Sequence, residues 1–199
     1  MPAEIGPEQA GAVVRGHGAP PVVAVVVTKD PGDWFADTLR SLEAQDYPQL
    51  SILVVDNGGS RDAAEFVADV VPNAYVTRRE TDEGFSAAAN AAAASVEGAP
   101  FLLFCHDDIR LAPDAVTQLV ADAFRANAGV VGPKLVSWNR PEELQSVGLA
   151  VDRFGAAREL VEKGELDQSQ HDTSRRVFAV SDACMLVRAD LFETVGGFS

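Results

Sequence analysis

Short, unbroken apolar runs punctuate this chain, and polar, glycine-rich stretches separate them. The first run is VVAVVVT, Val22–Thr28. It is continuously apolar and β-branched, the pattern of a strand covered on both faces. Pro31 and Gly32 break it, and residues 34–45 read as a helix with Trp34, Leu39 and Leu42 turned to a core. A second buried strand, residues 51–56, ends in the turn residues Asn57, Gly58, Gly59 and Ser60. A short helix over 63–70, a third strand over 74–78 and an alanine-rich helix over 86–95 come next. FLLFC, residues 101–105, is a fourth buried strand. Over residues 114–127, Val116, Leu119, Val120, Ala123 and Phe124 fall at the spacing of one helix face. Residues 130–135 form a further strand.

Beyond Trp138 the regularity weakens. Residues 139–176 are polar and charged, with a loop over 163–176. A strand over 177–180 and a helix over 188–195 close the chain. Residues 1–21, rich in Gly, Pro and Ala and without period, read as a flexible leader. The rest, residues 22–199, reads as one domain without internal repeats.

Strands alternating with helices predict a mostly parallel α/β sheet with right-handed crossovers. Ligands of such sheets bind outside the carboxyl ends of the strands. The stretches 28–30, 56–60 and 106–108 are therefore the places to look for chemistry.

Charge narrows the field. The chain has 199 residues, 30 of them acidic and 16 basic, for a formal net charge of −14. Nucleic-acid binding needs a basic face that displaces counterions, and this balance argues against one. It argues equally against docking onto an anionic membrane through a basic patch. Phosphate ligands remain open, because a divalent cation held by carboxylates bridges two negative partners. There is no signal-peptide pattern and no apolar run long enough to span a membrane. Cys105 lies in an apolar run and Cys184 beside Met185 and Leu186. Both read as reduced and buried, which fits a cytoplasmic protein.

Asp56 ends a buried strand and opens a glycine-containing turn. It reads either as a turn former or as a carboxylate at the ligand edge that accepts hydrogen bonds from a ribose or a base. Asp107 and Asp108 directly succeed FLLFC. Two adjacent carboxylates there are electrostatically costly unless they are solvated or share a cation. Such oxygen ligands suit Mg²⁺ or Mn²⁺ completed by substrate phosphates. Several signatures are missing. TKDPGDW after the first strand is no GxGxxG fingerprint, and there is no GxxxxGK[ST] loop and no GxSxG elbow. A phospho-receiver would need its acidic pair after the first strand, and here the pair comes after the fourth.

In order along the chain stand VVAVVVTKD, LRSLEAQDYPQLSILVVDNGGS, DEGFSAAAN, FLLFCHDDIRLAPDAV, VGPKLV, LQSVGLAVDRFG and VSDACMLVRADLFETVGGFS. Together they resemble the family 2 inverting glycosyltransferases of the GT-A fold, in the rhamnosyl- and galactofuranosyl-transferase-like branch, over residues 22–199. The resemblance implies a three-layer α/β/α sandwich around a Rossmann-like sheet. It also implies inverting transfer of a sugar from a nucleotide-diphospho-sugar donor to a hydroxyl of a glycan or lipid-linked sugar in cell-envelope synthesis. Thr28 and Asp30 would line the nucleotide pocket, and Asp56 would contact the base or ribose. Gly84 to Asn90 would pack beside the nucleotide. Asp107 and Asp108 would stand at the metal site, with Asp108 as ligand to Mg²⁺ or Mn²⁺.

The chain departs from the family pattern at Lys29 and Asp30, where an aromatic residue and Asn are usual. It departs again at Asp82, where Asn is usual, and at His106, where a carboxylate is usual. Similar proteins carry an acidic general base shortly after the GGF stretch. The expectation is that this base lies beyond Ser199, that the chain is an amino-terminal fragment, and that any hold on the inner face of the membrane comes from the missing portion. Asp182 is the alternative base candidate within the chain. A non-catalytic sugar-nucleotide binding module is the competing reading. A nucleotidyltransferase and an acidic protein-binding scaffold are more distant ones.

Overall fold

The computed structural model describes residues 18–60 and 62–199. The leader expectation therefore falls mostly outside the described residues. At 18–21 the chain is already anchored: Ala19 is buried, and the carbonyls of Ala19 and Pro20 accept hydrogen bonds of 2.5 Å from Gln49 Nε2 and the Tyr47 hydroxyl.

Four strands run parallel at the heart of the fold: β1 (Val22–Thr28), β2 (Leu50–Asn57), β3 (Tyr75–Arg79) and β4 (Phe101–His106). Helices α1 (Phe35–Glu43), α2 (Ala63–Val70) and α3 (Gly84–Ser95) connect them. Helix α4 (Ala115–Ala126) comes after β4 and leads to the short β5 (Val130–Val131). The pairs β6 (Leu135–Val136) with β7 (Leu144–Ser146), and β8 (Leu149–Val151) with β9 (Ala157–Glu159), are small antiparallel ribbons. Strand β10 (Cys184–Arg188) and helix α5 (Ala189–Val195) complete the chain's elements. The main sheet has the order β3-β2-β1-β4-β10-β5, with β10 antiparallel to both neighbours.

The parallel strands read as unbroken apolar runs because helices cover both faces. Along β4 the side chains alternate. Phe101, Leu103 and Cys105 join the core under α1, α2 and α4, where Phe35, Leu39, Val67, Val116 and Val120 pack. Leu102 and Phe104 join the opposite core, under Ala88, Ala89 and Ala92 of α3 and Phe192 of α5. The result is the mixed α/β sandwich expected, with a mostly parallel central sheet.

Three expectations need correction. Residues 177–180 are not a strand: only Ala179 bridges to Leu149, and Phe178 is 76% exposed. The strand of that region is β10, whose Cys184, Met185, Leu186 and Val187 are buried between β4 and β5. The strand expected over 130–135 is two short ones in different sheets, interrupted by Gly132 and Pro133. Trp34 is half exposed, and its neighbour Phe35 fills the core instead.

Candidate functional site

The strand order reverses between β1 and β4, so the crevice outside their carboxyl ends is the switch point of the sheet. Thr28 is the last residue of β1, and its neighbour Val27 pairs in register with His106. Two threonines fix the loop that leaves β4. Thr28, almost fully buried, donates from Oγ1 to Asp107 Oδ2 at 2.5 Å. Thr38 of α1, also buried, donates to the Asp107 carbonyl at 2.7 Å. Asp107 is thereby held at both its backbone and its side chain. Asp108 is exposed, and among the described residues its carboxylate has no hydrogen-bond or ion-pair partner.

The loops after β1 and β2 brace each other. Asp30 adopts a positive φ of 48°, and its Oδ1 accepts from the amide and hydroxyl of Ser60, both at 2.7 Å. Asp56 is 1% exposed. Its oxygens accept from the amides of Gly59 at 3.0 Å and Ala63 at 3.3 Å, and Arg78 Nε lies 3.7 Å away. The turn-forming reading of Asp56 thus has direct partners in the fold. Arg78, which the sequence pattern does not single out, also donates to the Gly59 carbonyl and pairs with Asp62. A lone arginine on an edge strand gives no signal, since its partners lie in another loop.

The third loop joins this edge through Asp82. Its Oδ1 accepts from Asn57 Nδ2 at 2.8 Å and from the Gly84 amide at 2.9 Å, and its Oδ2 lies 2.9 Å from Lys29 Nζ. The Lys29 hydrogen bond, more than any other influence, holds the Asp82 carboxyl below its ordinary range, and Asp82 in turn raises the Lys29 ammonium. Gly58 makes the close approach possible. At φ 74°, a Cβ there would lie 2.5 Å from the backbone of Thr81 and Asp82.

On the far side of β4, His106 Nε2 lies 4.0 Å from the exposed Asp182 carboxylate, and the Phe85 ring meets the imidazole edge-on at 5.0 Å. The resemblance implies a place beside the nucleotide for Asn90. Its side chain instead grips the backbone of Phe198, donating to its carbonyl and accepting from its amide, both at 2.9 Å.

The edge therefore gathers Thr28, Asp30, Asp56, Asp107 and Asp108, and brings in Lys29, Asp82 and Asp182. Asn90 is held to the backbone of Phe198. A cavity of about 450 Å³ lies at the other end of β4, between Phe101, Phe124 and Arg188, and no acidic residue of this edge lines it.

A divalent cation fits the donor set at Asp107 and Asp108. Among the described residues no three His, Cys, Asp or Glu side chains form a ready cage. Mg²⁺ or Mn²⁺ bound by one or two carboxylates and completed by phosphate oxygens needs no such cage.

Comparison with known proteins gives the arrangement a context. A family model described as Glycosyl transferase family 2 matches residues 23–196. The chain is 30% identical over 191 residues to an O-antigen biosynthesis protein, RfbC, of Myxococcus xanthus; the match covers 92% of this chain and 15% of that protein. Among solved structures, S. aureus TarS 1-349 in complex with UDP-GlcNAc superposes with a TM-score of 0.63 at 21% identity, over 88% of this chain and 47% of that one. The mannosyltransferase PcManGT of Pyrobaculum calidifontis, in complex with GDP-Man and Mn²⁺, superposes with a TM-score of 0.61 at 17% identity. It covers 90% of this chain and 48% of that one. The chain thus spans less than half the length of each of these proteins.

Proposed function

Because the chain belongs to glycosyl transferase family 2, we propose that it transfers a hexosyl or deoxyhexosyl group from a nucleotide-diphospho-sugar to a hydroxyl of a cell-envelope glycan or lipid-linked sugar. The observation that carries this reading is the Thr28–Asp107 hydrogen bond. It fixes an acidic pair at the sheet's switch point and leaves the Asp108 carboxylate free at the open edge. The likeness to an O-antigen biosynthesis protein supports an envelope glycan as acceptor.

The residues divide the work by position. The braced loops of Asp30, Asp56 and Asp82 form the floor on which base and ribose rest. Thr28 and Thr38 hold Asp107, and the next residue, Asp108, would be the principal ligand of a divalent cation. Mg²⁺ or Mn²⁺ bound there would offset the charge that develops on the departing diphosphate. The acceptor oxygen bonds to the anomeric carbon as the bond to the diphosphate breaks, and the configuration inverts. A base must take the acceptor proton. The resemblance implies that this base comes from beyond Ser199; within the chain Asp182, exposed 4.0 Å from His106, is the candidate.

Calorimetric titration of UDP, dTDP and GDP with and without Mn²⁺, on wild type and Asp108→Ala, tests the reading. Metal-dependent binding that disappears in the variant is expected. Binding that survives unchanged would remove Asp108 from the metal site. Nucleotide binding that gains no transfer to any acceptor even with sequence restored beyond Ser199 would instead identify a sugar-nucleotide binding module. Asp182→Asn is expected to slow transfer while leaving diphosphate affinity alone; full transfer would place the base elsewhere.

A further inference from the structure

We propose that the β8–β9 hairpin is a membrane-docking element, which sets the Phe154 ring into the surface of an anionic phospholipid bilayer with Arg153 on the lipid phosphates. The inference goes beyond the glycosyl transfer reading and stands or falls separately from it. The ribbon pairs with no strand of the main sheet. Phe154, at its turn, is 80% exposed. Phe178, whose amide donates to the Leu149 carbonyl of the same ribbon, is nearly as exposed. No other large apolar side chain among the described residues is as open as these two rings. The turn that carries Phe154 is already built. Asp152 Oδ1 accepts from the amides of Phe154 at 2.9 Å and Ala156 at 3.0 Å, and Arg158 Nε lies 3.2 Å from Oδ2. The Ala156 amide, then that of Phe154, holds the Asp152 carboxyl below its ordinary range. The ring is thus presented on a turn whose polar groups are satisfied, so docking need not order it.

Net charge argues against anionic lipid as a partner, but the charge is unevenly spread. Residues 149–178 hold six acidic and five basic side chains, against 24 and 11 in the rest of the chain. Screening confines electrostatics to about 10 Å at 0.1 M salt, so the surface nearest the bilayer decides the sign. On the hairpin the carboxylates are occupied: Asp152 by its own turn, and Glu159 by the Ser146 hydroxyl at 2.7 Å. The cations that flank the two rings are not. Arg153 lies over the Phe154 ring at 4.6 Å, and Arg175 and Arg176 stand exposed just before Phe178. None of the three has a carboxylate partner among the described residues. At the strand ends, by contrast, Lys29, Arg78 and Arg79 each lie against a carboxylate. An open phenyl ring beside an unpaired guanidinium suits a bilayer boundary. The ring enters the acyl margin while the arginine stem lies along it and keeps its head on the phosphates.

Flotation of the full chain with vesicles tests the assignment, using phosphatidylcholine alone and an equal mixture with phosphatidylglycerol. The chain is expected on the mixed vesicles and not on phosphatidylcholine alone, and KCl should weaken its hold. Phe154→Ala should lower the partition by about tenfold or more, the effect of burying one phenyl ring. Arg153→Ala should lower it by about fivefold. Tyr75→Ala removes an exposed ring on the edge strand β3 and should change nothing. Phe154→Trp reads insertion directly: its added emission should be quenched by bromine-labelled acyl chains, and that of Tyr75→Trp should not. Three results would each overturn the assignment and leave the hairpin to a protein partner. They are a wild type that does not float, a loss with Tyr75→Ala equal to that with Phe154→Ala, and a Phe154→Trp emission that stays unquenched. Nucleotide titration keeps the two readings apart. Phe154→Ala that loses vesicles but keeps wild-type diphosphate affinity supports the docking role. A folded wild type that binds the mixed vesicles and no diphosphate would support it too, and would sink only the glycosyl transfer reading.

Discussion

Lys29 and Asp82 are two of the places where the chain departs from the pattern that the resemblance implies. In the fold the two departures meet, at 2.9 Å across 53 residues of sequence. Each charge alone would stand unmatched at the carboxyl edge of the sheet; together they make one hydrogen-bonded pair. Lys29→Met is expected to move the Asp82 carboxyl up toward its ordinary value, because the Lys29 hydrogen bond is the main cause of its depression. NMR titration of that carboxyl reads the shift, and an unmoved titration would refute the pairing. Both side chains are well exposed, so thermal stability should barely change. At this scale the sequence is legible wherever chemistry alone singles out a residue. Adjacent carboxylates after an apolar strand mark Asp107 and Asp108 without knowledge of any partner. Asn90 and Arg78 are not legible in their observed roles, because those roles are defined by partners that sequence spacing does not bring together.

Among the elements, β1, β2 and β4 are readable because burial on both faces leaves a continuous apolar run. Strand β10 is not, because its five residues come after a polar stretch and the run at 177–180 competes for the same reading. The same region holds a turn that local polar chemistry builds without an apolar core. The Glu165 carboxyl is held down to about 2 by the Glu162 amide first, then by Gln170 and His171. A carboxyl depressed in the folded state contributes stability that is complete above its unfolded value of 4.5 and is lost as pH falls toward 2. Wild type is therefore expected to resist urea better than Glu165→Gln at neutral pH, with the gap narrowing between pH 4.5 and 2. A gap that holds constant through that window would show that the carboxylate charge contributes nothing. The two cysteines belong to this scale as well. Cys105 and Cys184 are register partners on β4 and β10, both buried and unbridged, with sulfurs 3.7 Å apart. Their mutual hydrogen bond and burial push the Cys105 thiol well up. Neither thiol should react with a small alkylating reagent until the sheet unfolds, and labelling of the native protein would contradict the packing.

Taken whole, the molecule gathers an acidic edge at the carboxyl ends of its parallel strands. Asp30, Asp56, Asp82, Asp107, Asp108 and Asp182 all stand at the carboxyl ends of the strands or in the loops beside them, in a chain of net charge −14. Without a divalent cation, salt should strengthen diphosphate binding rather than weaken it. Its screening length of about 10 Å at 0.1 M reaches across such a site and damps the repulsion. Titration of UDP at low and moderate KCl, without divalent ions, gives the sign; weakening with salt would mean that cationic side chains dominate the edge. The order of the sheet bears also on how the protein is made. Strand β1 is made before its second neighbour, β4, which ends only at His106. Strand β4 in turn stays uncovered on its other side until β10 emerges, up to Arg188. Strand β4 thus keeps one edge open until β10 has been made. A chain halted before β10 should be a client of chaperones and prone to aggregate, because β4 then keeps an open edge.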